Sequence, residues 1–183
     1  MSEMIDVLDE HGIKTGRVAT RDEVHREGLW HKIAAVAIID SENRILLQQR
    51  SRTKITNPEK WDIAAAGHVD AGEDTLTTAL RETAEEVGIQ IQPEDLTHVI
   101  SYQKTSKPVY DNQQIIDRQI FDCFVVRIPE INIKNLTLQI SEVQAVKLAT
   151  LDEFKEMISA GVMVNRQPFY DAIIKLMEEQ ISE

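Results

Sequence analysis

The sequence predicts one α/β domain, and three observations lead there. An unbroken apolar run, Lys32–Ile39 (K-I-A-A-V-A-I-I), reads as a central strand buried on both faces. A segment beginning near Asp74 places Leu76, Ala79, Leu80, Thr83 and Val87 on one stripe at about 100° per residue, the pattern of a helix packed on a core. Strand-like and helix-like segments alternate along 183 residues without repeats, low-complexity tracts or a linker, and 42% hydrophobic content suffices for a real core. The domain is read as residues 1–183, with 1–30 an N-terminal extension packed on it.

In chain order, Met4 to Leu8 reads as a short strand, followed by a turn at His11-Gly12. Thr20-Arg21-Asp22-Glu23 has the form of a capping box and opens a helix ending near Gly28. The strand His31 to Ile39 turns at Asp40-Ser41-Glu42-Asn43 into a hairpin partner, Arg44 to Arg50. A polar loop containing Asn57-Pro58 precedes a short strand, Trp61 to Ala65, and the helix from Asp74 stops at Gly88. Strands are expected at Ile89–Gln92, Thr97–Lys104, Ile115–Ile128 and Val143–Leu148, with a polar loop over the site from Ser106 to Gln114. Thr150 caps a helix of about ten residues, and Phe169 to Ile181 closes the chain as an amphipathic helix.

Composition narrows the function. No run of about 18 apolar residues occurs, so no membrane span is expected. The acidic N-terminus lacks the order of a signal peptide, and the single cysteine, Cys123, fits a reducing compartment, so the expected location is cytoplasmic. A formal net charge of −11 argues against nucleic-acid binding, which needs clustered Lys and Arg. A small phosphorylated substrate remains compatible, because a metal can supply positive charge locally.

The chemistry concentrates in Gly67 to Ile89. Glu82, Glu85 and Glu86 stand at i, i+3 and i+4 and gather on a helix face distinct from the apolar stripe. Arg81, one turn before Glu85, is expected to pair with it and leave Glu82 and Glu86 to act together. Like charges at this spacing destabilise a bare helix, and a hard divalent cation with a preference for oxygen ligands reverses that sign. A Glu-rich face alone is usually only solvated. Here the frame Gly67, Glu73, Arg81-Glu82, Glu85-Glu86, Gly88 and an apolar Ile89 fixes seven specific residues over 23 positions, and it resembles the box of the Nudix hydrolases. Thr83 departs from the aliphatic residue usual in that family.

The resemblance implies a mixed β-sheet sandwiched between α-helices and Mg²⁺-dependent hydrolysis (Mn²⁺ as an alternative) of a diphosphate linked to another moiety. It assigns Glu82, Glu85 and Glu86, with the carbonyl of Ala66 or Gly67, to the metal, Arg81 to orienting a glutamate and Glu73 to bracing the loop before the helix. Candidates for the base are Glu82 and Glu142. Arg50 and Arg52 are candidates for phosphate contact, against an ordinary solvated strand end. Tyr102, Tyr110 and Trp61 are candidates for stacking, against a place in the core.

Upstream, T-G-R-V-A-T-R-D-E-V-H, Trp30-His31 and W-D-I-A-A-A-G-H are similar to the type I isopentenyl-diphosphate isomerase branch of the family. That resemblance aligns His25, His31 and His68 with three metal-binding histidines, a candidate second metal site, and Asp117 with a metal-binding glutamate. It also puts Ala66 at the isomerase's catalytic cysteine and Gln119 at its catalytic glutamate. Moving a carbon–carbon double bond requires an acid and a base on opposite sides of the substrate, and neither alanine nor glutamine provides one at neutral pH. Cys123, in a packed strand, is no replacement. A diphosphatase acting on a nucleoside diphosphate derivative is therefore the leading reading, with an isomerase-like protein and a non-catalytic nucleotide-binding module as alternatives. Homodimerisation through the N-terminal segment is a further expectation.

Overall fold

The computed structural model describes residues 3–110 and 113–181. The elements follow in the order β1 (Met4–Leu8), β2 (Lys14–Thr20), α1 (Arg21–Glu27), β3 (Trp30–Asp40), β4 (Ile45–Arg50), β5 (Trp61–Ile63), β6 (Ala65–His68) and α2 (Thr75–Val87). Then come β7 (Thr97–Ser106), β8 (Val109–Tyr110), β9 (Gln113–Gln114), β10 (Asp117–Ile128), β11 (Val143–Ala149), α3 (Leu151–Ser159) and α4 (Phe169–Ile181).

The sheet is built around β3. β10 runs parallel to it from Arg118↔Trp30 to Ile128↔Asp40, and every other pairing in the sheet is antiparallel. β7 lies outside β10, while β6 pairs β3 from Ile33↔His68 to Val36↔Ala65. β4 carries both β5 and β11. Because neighbouring side chains on a strand point to opposite faces, β3 feeds two cores. Ile33, Ala35, Ala37 and Ile39 join Phe154 of α3 and Tyr170, Ile173 and Met177 of α4. Ala34, Val36 and Ile38 join Ala79 and Val87 of α2. This is the expected mixed sheet between helices.

The helix ends follow from local chemistry. Thr20 and Thr150 each close a full capping box with Glu23 and Glu153, and the Asp74 carboxylate accepts the amide of Thr77 at 2.7 Å. Gly88 ends α2 at φ 73°, where a side-chain carbon would also press on the backbone of Thr137 at 2.9 Å.

Several expectations are corrected. Lys14–Thr20 forms β2, an edge strand whose first five residues are exposed; its weak alternation hides it. The strand expected at Trp61–Ala65 is two strands, because the chain exchanges β4 for β3 as its partner at Ala64 and continues through Gly67 to His68. Ile89–Gln92 makes no strand. Ile91 drops into the α2-side core, and Pro93–Asp95 forms a 3₁₀ turn. The polar stretch expected as a loop at 106–114 contains the β8–β9 hairpin, and residues 111–112 lie outside the described residues.

Candidate active site

The site begins where β6 meets α2. Gly67 pairs with Ala34 and faces the helix. A side-chain carbon at Gly67 would overlap the Glu82 carboxylate, so the glycine is the notch into which that acid fits. Glu82 is largely covered, and burial pushes its carboxyl up to about 7. Glu86, one turn on, is 5% exposed, and its carboxylate accepts a hydrogen bond from Nε2 of Gln48 on β4. The same amide donates to the Ala64 carbonyl at 3.1 Å. Burial, followed by the charge of Glu82, pushes Glu86 up to about 8. Glu85 is half-exposed.

Arg81 is placed differently from the expectation. Its Nη1 donates to Glu82 at 2.8 Å and stands 3.7 Å from Glu85, so its main partner is Glu82. Adjacent residues on a helix point about 100° apart, but the guanidinium reaches back around the turn because Nη2 is held by Glu73 at 3.2 Å. Burial opposes the charge of Arg81, but Glu73 and Glu82 hold its pKa above the usual range. Glu73 also accepts from the Thr78 hydroxyl at 2.8 Å, which ties the loop before the helix to its first turn. Thr83 is fully buried and donates its hydroxyl to the Ala79 carbonyl at 2.7 Å, which removes the cost of a polar group in the core.

Glu142 sits in the turn before β11, where its carboxylate pairs with Lys54. The turn is suspended from the end of α2, since Gln139 N donates to the Glu86 carbonyl at 3.1 Å and Glu142 N to the Gln139 carbonyl at 2.8 Å. Arg50 and Arg52 do not act as a pair. β4 ends at Arg50, whose guanidinium donates to the Thr56 carbonyl (3.1 Å) and lies 3.9 Å from Asp62. Arg52 falls in the following turn and lines an open cleft of about 540 Å³ with Ser51, Thr53, Glu59, Ile140, Ser141 and Gln144. Among the aromatic candidates, Tyr102 stacks on Phe121 at 4.8 Å and Trp61 lies under Lys147, so both serve packing. The side chain of Tyr110 lies outside the described residues.

On the opposite face of β6, His68 meets His31 from β3 and His25 from α1. One ring nitrogen of each lies within 4.8 Å of the others. Among the described residues, the histidines stand at this spacing and the box glutamates do not. His31 Nδ1 donates to the Leu29 carbonyl at 3.0 Å, which leaves the lone pair of the neutral ring on Nε2. Burial lowers His31 to about 4 and His68 well below its usual value, so both are neutral at pH 7. Nε2 of each, and Oδ1 of Asp117, are buried with no hydrogen-bond partner among the described residues. Asp117 stands 3.7 Å from His31 and 3.8 Å from His25.

Sequence reasoning missed Gln48, Lys54 and the buried pair Asp62–Arg166 (2.5 and 2.6 Å). A glutamine after three apolar residues in β4 was a signal for the first; the others depend on long-range contacts.

A NUDIX domain model matches residues 29–170. The chain belongs to the Nudix family. It is 35% identical over 159 residues to Nudix hydrolase 3 of Arabidopsis thaliana, covering 86% of this chain but spanning only 20% of that protein. It is 32% identical to an isopentenyl-diphosphate delta-isomerase of Schizosaccharomyces pombe, covering 87% of this chain and 75% of the isomerase. Among solved structures, DR0079 of Deinococcus radiodurans superposes with TM-score 0.66 at 16% identity, over 94% of this chain and 98% of that one. A bifunctional NMN adenylyltransferase/ADP ribose pyrophosphatase of Francisella tularensis, complexed with AMP and a Mn ion, superposes with TM-score 0.55 at 18% identity. The match covers 82% of this chain and 41% of that one. These structures share the Nudix fold, and the family match, with an uncharacterized Nudix hydrolase of Clostridium acetobutylicum 28% identical over 90% of this chain and 82% of that protein, supports an enzyme of the Nudix hydrolase class. No helix is long and apolar enough to cross a membrane among the described residues.

Proposed function

We propose that this Nudix protein hydrolyses a diphosphate linkage in a nucleoside diphosphate derivative, with Mg²⁺ or Mn²⁺ at Glu82, Glu85 and Glu86. The observation that carries this reading is the pair of buried carboxylates, Glu82 in the Gly67 notch and Glu86 on Gln48. Hard carboxylate oxygens fit these cations. Bound there, the ion supplies charge neutralisation at the phosphoryl oxygens and a more acidic water. Arg81 orients Glu82, Glu73 holds Arg81, and the carbonyl of Ala66 or Gly67 is a further candidate ligand. Glu142, at the far end of the box, is the acceptor proposed for the proton of the attacking water. The substrate class is supported by the Francisella neighbour, which is named for ADP-ribose and contains AMP.

Phosphate or monophosphate release is measured across nucleoside di- and triphosphates, dinucleotides, nucleotide sugars and prenyl diphosphates, with and without Mg²⁺. Metal-dependent release lost in Glu86→Gln is expected. Conversion of isopentenyl to dimethylallyl diphosphate instead would restore the isomerase reading, which the S. pombe relative keeps testable and which Ala66 and Gln119 oppose. Tight nucleotide binding with no release from any compound would favour the binding module.

The unpartnered nitrogens of His31 and His68 favour a second centre. We propose that His25, His31 and His68, with Asp117 beside them, bind a transition metal such as Zn²⁺, which prefers imidazole and carboxylate ligands. Such an ion ties α1 to β3 and β6. Zn²⁺ titration should give about one equivalent tightly bound and a higher melting temperature, and His31→Ala should remove both.

A further inference from the structure

The cations around the site differ in how they are held. Arg81 is held by Glu73 and Glu82, Arg166 by Asp62, Arg50 by Thr56 with Asp62 beyond, and Lys104 by the Asn165 carbonyl. Among the described residues Lys54 has one carboxylate partner, Glu142, the acceptor proposed for the water proton. Its side chain is 16% exposed although it comes from a turn at the protein surface. The backbone fixes the two groups against each other. Ser51 N donates to the Glu142 carbonyl at 2.7 Å, Arg52 N to the Gln144 amide oxygen at 3.0 Å, and Lys54 N to the Ser51 carbonyl at 3.0 Å. The ammonium is also close enough to the interior for His68 to sense its charge, and the Glu142 carboxylate is close enough for Glu86 to sense it. The pair thus bridges the rim between the box and the 540 Å³ cleft lined by Ser51, Arg52 and Thr53.

A carboxylate oxygen engaged by an ammonium has that lone pair occupied and is not free to face a water. A diphosphate brings more charge and more acceptor oxygens than one carboxylate, and lysine's compact ammonium turns readily to phosphate. We propose that Lys54 is a positioning residue that holds Glu142 until a diphosphate draws the ammonium away, which frees the carboxylate to accept the proton of the attacking water. This rests on the hydrolase reading above. Substrate binding and release of the base then become one event, and water is not activated in the empty site.

Competition for Lys54 has a thermodynamic signature that does not depend on turnover. Binding of methylenediphosphonate, a diphosphate that cannot be hydrolysed at the bridge, is measured by calorimetry in Mg²⁺ for the wild type, Lys54→Met, Glu142→Gln and the double variant. Lys54→Met should bind about tenfold more weakly, from loss of a charge-assisted contact. Glu142→Gln should bind about fivefold more tightly, because the intramolecular competitor is gone. In the Lys54→Met background the Glu142→Gln gain should shrink to less than about twofold. Lys54→Arg should bind near the wild-type level and keep part of kcat. An equal gain from Glu142→Gln in both backgrounds means plain charge repulsion and overturns the lock. No gain at all overturns it as well. Failure of the wild type to bind the probe, together with no turnover of any diphosphate, would instead overturn the hydrolase reading, and the lock with it.

Discussion

Replacing Glu86 by glutamine should abolish turnover and stabilise the metal-free fold. Glu86 is 5% exposed and burial raises its carboxyl from 4.5 to about 8. A raised carboxyl pKa means that the folded state keeps a proton the unfolded chain has lost. The contribution is fully present below about pH 4.5 and is lost as pH rises through about 8. A shift of this size corresponds to about 4–5 kcal/mol at full ionisation, at 1.36 kcal/mol per unit. Relaxation around the charge and entry of water reduce this to roughly 2–3 kcal/mol, within the ordinary range for single substitutions. For a domain of this size that is a melting temperature about 5–10 °C higher.

Glutamine keeps the shape and can still accept the Gln48 amide proton, so the comparison isolates charge. Melting is followed by circular dichroism in EDTA from pH 5 to 8.5. The two proteins should lie closest near pH 5 and diverge steadily from there up to about pH 8, with Glu86→Gln the more stable. The buried histidines act with the opposite sign below about pH 6.5, but equally in both proteins, so they cancel in the comparison. Adding Mg²⁺ at pH 8 should raise the wild type toward the variant and leave the variant unmoved. A Glu86→Gln protein that melts lower than the wild type at pH 8.5 in EDTA would refute the claim that this site stores unfavourable charge.

Other substitutions test separate links. Gly67→Ala should displace the Glu82 carboxylate, reducing kcat by about a hundredfold and removing the Mg²⁺-dependent rise in melting temperature; the fold should survive, because Ala79, Thr83 and Val87 still hold α2 to the sheet. Asp62→Asn leaves the Arg166 guanidinium buried without a counter-charge and should cost about 3–5 kcal/mol in urea denaturation. Cys123 is fully buried with its thiol pushed up to about 12, so thiol reagents should label it only after unfolding, at any pH up to about 9. Labelling of the native protein within minutes would place it in a mobile region.

Much of the site was legible because it is local. Gly67, Glu73, Arg81, Glu82, Glu85 and Glu86 lie within about five turns' worth of chain, and helical periodicity alone places the acids on one face. The capping boxes at Thr20 and Thr150 were legible for the same reason, since all their hydrogen bonds close within three residues. What was missed depends on partners far along the chain. Gln48 reaches Glu86 across 38 positions, Lys54 reaches Glu142 across 88, and Asp62 reaches Arg166 across 104. Even the local pairing of Arg81 with Glu85, present at 3.7 Å, is secondary, because Glu73, outside the helix, holds the guanidinium closer to Glu82. Helical spacing lists the residues an arginine can reach; tertiary contacts decide among them.

Three consecutive residues of β6 explain how one chain resembles both a hydrolase and an isomerase. Strand alternation turns Gly67 toward α2, where its missing side chain admits Glu82, and turns Ala66 and His68 to the other face. The α2 face carries Glu82, Glu85 and Glu86, the acids proposed for diphosphate hydrolysis. The opposite face keeps the three imidazoles and Asp117, but Ala66 and Gln119, which flank β3 on that face, have no proton to give or take. The two chemistries therefore do not compete for the same atoms. With neither acid nor base at Ala66 and Gln119, that face still groups the three histidines, and the glutamates on the other face are separate from them. A substitution such as Ala66→Cys should thus leave diphosphate hydrolysis within about twofold of the wild type, since it adds a thiol on the face away from Glu82. A large loss of hydrolysis in Ala66→Cys, with the fold intact, would show that the faces share one substrate position after all.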